Sequence, residues 1–132
     1  GPKPKSPVTV LANTEQVVTV VAAVFFAGMG VYALATPARL VAPFDISLGT
    51  AAARAEVRAV YGGFGLAIAA MLIVALTAPQ LRAGILMTVA AALAGMAGGR
   101  LASALDGRTH FYPNWFYFLV ESGAAAALFM VA

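Results

Sequence analysis

The stretch AVYGGFGLAIAAMLIVALTAPQL, residues 59–81, runs for 23 residues without a formal charge between Arg58 and Arg82. A helix that crosses the hydrocarbon core of a bilayer needs roughly 20 mainly apolar residues. The stretch therefore predicts a membrane-spanning helix. Pro79 ends it, since proline interrupts a helix, and Thr50 is the predicted N-cap.

Three further runs meet the same criterion. The first, between Glu15 and Arg39, has 23 uncharged residues, and the run that follows Arg82 has 17. The last begins near Pro113, a residue favoured in a first helical turn, and continues to the final residue. The sequence predicts four helices, at about 16–36, 51–78, 83–103 and 113–132.

The composition also indicates a membrane protein. Of the 132 residues, 62% are hydrophobic and 10% are charged, whereas soluble domains average about 45–50% apolar and about 25% charged residues. A soluble fold of this length has too little interior for that apolar surface. The predicted fold class is all-α, a single integral membrane four-helix transmembrane bundle over residues 15–132. Residues 1–14 form a predicted tail, of which Gly1 and Pro2 resemble a remnant of recombinant expression.

The two ends of the predicted bundle differ in charge. Side A has both chain ends and the 2–3 connection, and side B has the 1–2 and 3–4 connections. Side A carries Lys3, Lys5 and Arg82, and side B carries Arg39, Arg54, Arg58 and Arg108. The positive-inside rule favours a cytoplasmic side B by a narrow margin, so the orientation stays open. The eight basic residues form no basic stripe, and no nucleic-acid partner is predicted.

Small residues recur at four-residue spacing on three of the predicted helices. They are Ala55, Ala59, Gly63 and Ala67, then Ala91, Gly95, Gly99 and Ser103, then Gly123 and Ala127. Small residues allow helices in lipid to approach closely, so these seams predict the packing faces. The alternative is that a sequence rich in alanine and glycine produces such spacing by chance.

Six aromatic residues gather where the fourth predicted helix enters from side B. They are Phe111, Tyr112, Trp115, Phe116, Tyr117 and Phe118. Tyrosine and tryptophan are enriched at membrane–water interfaces, which favours an aromatic belt. Alternatively, these rings form the wall of a ligand pocket.

Glu121 lies inside an apolar run: ten uncharged residues separate it from His110, and eleven follow it. Counted from Pro113 at 1.5 Å per residue, it lies roughly 12 Å below side B. An unpaired carboxylate at that depth costs several kcal/mol. Arg100 reaches a similar level from the third helix, so Glu121 is predicted to neutralise Arg100 or, alternatively, Arg58.

The ionisable residues of the side-B half form a predicted ligand-binding or buried polar cluster. It comprises Glu56, Arg58, Tyr61, Arg100 and Glu121, and its predicted mouth comprises Asp106, Arg108, His110 and Asn114. One interpretation is a structural ion pair that fixes helix order. The other is a polar cavity that binds a headgroup or carries protons, since intramembrane ionisable residues often mark function.

The sequence offers little further chemistry. It has no cysteine and no second histidine beside His110, so no metal site is predicted. No phosphate loop, zinc motif or catalytic triad is recognisable. We therefore predict no catalytic residues and no cofactor. The sequence does not decide whether the protein is an enzyme, and it favours a non-enzymatic role.

These observations lead to two functional hypotheses. In the preferred one, a pocket open to side B binds a lipid-like or quinone-like ligand, whose anionic or polar headgroup is held by Arg100 and Arg58. In the alternative, the protein is a non-catalytic structural or accessory subunit of a membrane complex, and the charges serve helix assembly. The expected partners are membrane lipids, the ligand, and a second copy of the chain or another membrane protein. A membrane enzyme or proton-coupled transporter, a third class, would require an oligomer.

Two segments carry a resemblance to a known family. AEVRAVYGGFGLAIA (55–69), GGRLASALDGR (98–108) and a glutamate in the last helix resemble small bacterial membrane proteins, the domain-of-unknown-function family four-three-four-five. The matching positions are Glu56, Arg58, Tyr61, Gly62, Gly63, Gly99, Arg100, Asp106, Gly107 and Glu121. The resemblance covers roughly residues 15–132. It implies four transmembrane helices in the bacterial inner (cytoplasmic) membrane and no particular activity.

Overall fold

The computed structural model describes residues 7–132, and that part of the chain is all-helical. The α-helices are α1 (Pro7–Ala35), α2 (Pro37–Val41), α3 (Ala51–Val57), α4 (Phe64–Thr77), α5 (Pro79–Ala102) and α6 (Phe116–Val131). Helices α3 and α4 are continuous through a π-helical segment, Arg58–Gly63. The predicted tail lies partly outside the described residues, and α1 begins at Pro7 rather than near residue 16.

Within residues 7–132, four segments are long and apolar enough to cross a membrane. They are Asn13–Ala35, Ala51–Thr77, Pro79–Leu105 and Phe111–Val131, with mean hydropathies of 2.3, 2.2, 1.6 and 1.3. Many large apolar side chains on their outer faces are exposed, among them Val24, Ile73 and Met87. Length, composition and this apolar exterior together suggest a membrane protein.

Local sequence explains where the long helices begin and end. The Thr50 hydroxyl accepts a hydrogen bond from the Ala53 amide at 3.0 Å, which satisfies a free donor of the first turn of α3. At Ala78 the backbone leaves the helical region (φ −121°, ψ 86°), and Pro79 then opens α5. The connection between α4 and α5 is therefore tight, and the two helices are antiparallel neighbours.

The four long helical segments pack in a ring. α1 packs against α4 and α6, and α5 packs against α4 and α6. The buried core consists of Ala22, Ala23, Leu72, Ala75, Leu86, Val89, Ala90, Leu93, Ala125 and Leu128. The π-helical segment packs on α1 and on α4.

The packing faces are not the predicted small-residue seams. The positions Ala55, Ala59, Gly63, Ala67, Ala91, Gly95, Gly99, Ser103 and Gly123 are all exposed. A Cβ added at Gly95, Gly99 or Gly123 would meet nothing within 4 Å. The seam prediction is therefore wrong, because four-residue spacing identifies one face of a helix but not its direction.

Three other glycines bring α1 close to the π-helical segment and the start of α4. A Cβ on Gly30 would lie 2.9 Å from the carbonyl oxygen of Gly62. A Cβ on Gly65 would lie 3.1 Å from the carbonyl oxygen of Phe26 and 3.3 Å from the Gly30 Cα. A larger residue would push the backbones apart, so this contact depends on glycine.

An ion pair joins three helices at the side-A end. Arg82 Nε lies 3.1 Å from Glu15 Oε1 and donates to the Ala75 carbonyl at 2.8 Å. Arg82 Nη2 donates to the Leu76 carbonyl at 3.3 Å. These carbonyls belong to the last turn of α4, where a basic side chain satisfies free acceptors.

Candidate functional site

A cavity of about 710 Å³ lies between the helices in the side-B half. Five parts of the chain line it. They are α1 (Phe25, Phe26 and Met29); the first connection, residues 36–50 (Leu40, Val41, Phe44 and Ile46); the second long segment, Ala51–Thr77 (Ala59, Val60, Tyr61, Phe64 and Gly65); α5 (Ala92, Leu93, Met96 and Arg100); and α6 (Tyr117 and Glu121). Most of these side chains are apolar or aromatic. The volume falls within the range of about 300–1,000 Å³ that is usual for small-molecule sites.

The first connection, residues 36–50, contributes Leu40, Val41, Phe44 and Ile46 to the lining of this cavity. Pro37 and Val41 are buried, and a 3₁₀ turn at Ala42–Phe44 follows α2. Asp45 then adopts a left-handed backbone with φ 60°, which a short polar residue tolerates. This geometry places the Phe44 ring 5.9 Å from the Tyr117 ring, in a stacked arrangement.

An ion pair forms the polar part of the cavity wall. Arg100 Nε donates a hydrogen bond to Glu121 Oε1, and Arg100 Nη1 donates to Asn114 Oδ1 at 3.5 Å. Glu121 is 3% exposed, whereas the Arg100 side chain is 21% exposed. The predicted pairing of Glu121 with Arg100 is confirmed.

Aromatic rings hold the guanidinium of this pair. Arg100 Cζ lies 5.4 Å from the centre of the Phe44 ring and 5.5 Å from that of Tyr117. Both distances are within the roughly 6 Å range of cation–π attraction. Of the six predicted belt aromatics Tyr117 lines the cavity, while Phe111 and Phe116 are exposed.

The second oxygen of the buried carboxylate is unsatisfied. Glu121 Oε2 is inaccessible and has no hydrogen-bond partner among residues 7–132. A buried acceptor without a partner costs about 1–3 kcal/mol, and more when it is charged. Such an atom in a native protein requires an explanation, for example a water or a ligand that completes its bonding.

The other predicted cluster residues are distributed differently. Tyr61 lines the cavity and is 40% exposed. Arg58 Nε instead donates to the Leu34 carbonyl at 3.0 Å, in the last turn of α1. Arg58 precedes Gly62 by four residues, and so lies on the face that packs against α1. Glu56 is exposed and lies apart from the cavity lining.

The four residues of the predicted pocket mouth also differ in their positions. Asn114 is half-buried and accepts a hydrogen bond from Arg100, but it is not one of the residues that line the cavity. Asp106, Arg108 and His110 are exposed and lie outside the cavity lining. Within the described part of the chain, no group of three or more potential metal-ligating side chains is present.

Two features of this region are not predicted by the sequence. The π-helical segment supplies Ala59, Val60 and Tyr61 to the lining, and such segments are frequent at functional sites. Phe44 lies in the first connection, whose sequence has no pattern that would identify Phe44 as a residue of the cavity. Outside this region, the Glu15–Arg82 pair at the side-A end was not predicted either.

Comparison with known proteins identifies a family for the chain. The family model described as Domain of unknown function (DUF4345) matches residues 14–132. No curated protein and no solved structure matches. Because the family match covers the cavity, its ion pair and all four long apolar segments, the chain belongs to the DUF4345 family.

Proposed function

We propose that this protein is a multipass protein of the bacterial inner membrane, and that its cavity binds a lipid-like or quinone-like amphiphile. The observation that carries the proposal is an otherwise apolar cavity of about 710 Å³ whose wall contains the Arg100–Glu121 ion pair. Apolar pockets with a few convergent polar groups are the usual form of small-molecule sites. The membrane assignment rests on four apolar segments of spanning length.

The proposed route into the cavity is sideways, from the hydrocarbon core of the membrane. Most of the exposed lining residues lie on two elements: Val60, Tyr61 and Phe64 on the second long segment, and Ala92 and Met96 on α5. The π-helical segment, which carries Val60 and Tyr61, packs on α1 and α4, whereas α5 packs on α4 and α6, so we infer a gap between this segment and α5 beside the cavity. An apolar tail can extend through that gap while its headgroup stays at the ion pair.

The second candidate is a structural or accessory protein whose ion pair serves only helix assembly. The direct contact of Arg100 with Glu121 favours it, since the pair joins α5 to α6. Buried pairs of this kind can fix helix register without binding a ligand. A role in helix assembly alone does not explain a cavity of about 710 Å³.

Binding can be tested with two neighbouring alanines of α5. Both Ala91 and Ala92 are exposed, but Ala92 lines the cavity and Ala91 does not. We expect wild-type protein, released from mild detergent, to carry an amphiphile detectable by native mass spectrometry. Ala92→Phe should lose the bound mass because its ring occupies the cavity, and Ala91→Phe should retain it.

The result that would contradict the proposal is equal retention in both variants, or bare wild-type protein that gains no mass when amphiphiles are supplied. In that case the structural role of the ion pair would be the better explanation. Circular dichroism of all three proteins controls for loss of helix.

A further inference from the structure

The polar wall of the cavity is balanced in charge. Within the described lining, the formal charges are those of Arg100 and Glu121, and they neutralise each other. Arg58, the second arginine of the sequence-based hypothesis, donates to the Leu34 carbonyl at 3.0 Å and lies outside the lining. An anionic headgroup would therefore meet no net positive charge. Because uncompensated charge in an apolar cavity is costly, the wall favours a neutral headgroup.

The Arg100 guanidinium lies among side chains that line the cavity. Its Cζ is 5.4 Å from the centre of the Phe44 ring and 5.5 Å from that of Tyr117, and its Nε donates to Glu121. All three partners belong to the lining, and the Arg100 side chain is partly exposed. The charged end of Arg100, and not only its stem, is therefore part of the cavity wall.

This guanidinium has a donor that the protein does not use. A guanidinium carries five N–H groups. Among the described residues, Nε donates to Glu121 and Nη1 donates to Asn114 at 3.5 Å, whereas Nη2 has no acceptor. In the same part of the chain, Glu121 Oε2 is the one buried polar side-chain atom without a partner, so Arg100 Nη2 is accessible. Its N–H groups are free to bind an acceptor.

The carboxylate offers the cavity no comparable acceptor. Glu121 Oε1 already accepts from Arg100, and Oε2 is inaccessible. The exposed Tyr61 also lines the cavity, and its hydroxyl can donate. The polar wall therefore consists mainly of donors, and the group that fits it is a neutral acceptor. On a membrane amphiphile, such an acceptor is most simply a carbonyl oxygen.

We propose, on the basis of the function proposed above, that the ligand is a neutral amphiphile whose carbonyl oxygen accepts a hydrogen bond from the Arg100 guanidinium. Glu121 and the two aromatic rings hold the guanidinium in place. The tail of the ligand packs on the apolar and sulfur-containing surface of Phe26, Met29 and Phe64. Two membrane compounds share this chemistry: uncharged acyl esters such as acylglycerols, and quinones.

The test uses matched pairs of probes on delipidated wild-type protein in a maltoside detergent. One pair is a medium-chain diacylglycerol and its dialkyl ether analogue, and the other is a short-tailed naphthoquinone and the naphthalene with the same tail. The second member of each pair lacks the carbonyl oxygens and is no larger. We expect one carbonyl probe to bind about tenfold or more tighter than its partner, as is typical for a hydrogen bond to a charged group. The pair with the larger preference distinguishes an acyl ester from a quinone.

A fatty acid and its methyl ester test the charge of the headgroup. They share a tail and a carbonyl group, and in alkaline buffer only the fatty acid is charged. We expect the methyl ester to bind more tightly, since the guanidinium is already neutralised. Tighter binding of the fatty acid would overturn the assignment of a neutral ligand.

Two variants identify the donor. Arg100→Met/Glu121→Leu removes the guanidinium together with its charged partner, so that no charge of the pair is left buried, whereas Tyr61→Phe removes only a hydroxyl. We expect the double variant to bind both members of each pair equally, and Tyr61→Phe to keep the preference for the carbonyl probe. A preference that persists in the double variant, or that disappears in Tyr61→Phe, would overturn the assignment to Arg100.

The remaining outcomes separate the two proposals. If the members of both carbonyl pairs bind wild-type protein equally, and Ala92→Phe still abolishes binding, the carbonyl inference is wrong and the proposed function stands. If no probe binds in a manner sensitive to Ala92→Phe, both fail.

Discussion

At the scale of single residues, the contact between Arg100 and Glu121 is the most consequential interaction. It joins residues 21 positions apart in sequence, and the carboxylate is almost fully buried. The guanidinium has further partners in Asn114, Phe44 and Tyr117, whereas the carboxylate has only Arg100 among the described residues. The two partners should therefore respond unequally to substitution.

We expect Arg100→Met to destabilise the protein by about 3–5 kcal/mol, since it leaves a buried, unpaired carboxylate. Glu121→Leu should cost less, because Arg100 is partly exposed and keeps its aromatic contacts. The double variant should recover most of the loss. Unfolding in a denaturing detergent, followed by circular dichroism, measures these differences. Additive losses in the double variant would show that the two side chains are not coupled.

At the scale of helices, the contact between α1 and the π-helical segment depends on the absence of a Cβ at Gly30. The added carbon of Gly30→Ala would lie 2.9 Å from a backbone oxygen, which cannot move without shifting the helix. We expect a loss of about 1–3 kcal/mol, as is usual for overpacking. The thermal midpoint of unfolding in detergent measures it.

Gly95→Ala is the matched control for this substitution. Gly95 also lies inside a long helix, but an added Cβ there meets nothing within 4 Å. Since alanine is favoured over glycine in a helix interior by about 1 kcal/mol, Gly95→Ala should leave stability unchanged or raise it. Equal destabilisation by both substitutions would contradict the close contact at Gly30.

At the scale of the whole molecule, the proposed bundle places the two short connections on opposite sides of the membrane. Because the chain has no cysteine, a single one can be introduced without background. We expect Gln80→Cys and Gly107→Cys to be labelled from opposite sides by a membrane-impermeant maleimide, tested in intact cells and in inverted vesicles. The positive-inside rule favours Gln80→Cys as the variant labelled in intact cells.

Labelling of both positions from the same side would contradict a four-span topology. Labelling of both from either side would contradict membrane insertion of the segments between them. A reversed pattern, with Gly107→Cys labelled in intact cells, would keep the topology and reverse the orientation.

The sequence by itself determined the number of long apolar helices, because hydropathy and charge spacing are properties of consecutive residues. It also limited the partners of Glu121 to Arg100 or Arg58, since charges isolated in apolar runs have few other partners, and the structure selects Arg100. Thr50 as an N-cap followed from local hydrogen bonding in the same way.

Only the tertiary structure decided which face of each helix points inward. Gly30 and Gly95 both lie inside long apolar helices, and the rotation of each helix about its axis makes Gly30 tightly packed and leaves Gly95 exposed. The same rotation directs Arg58 to α1 and away from the cavity, and the path of the first connection brings Phe44 to Arg100. These placements depend on contacts between distant segments, which no pattern of neighbouring residues records.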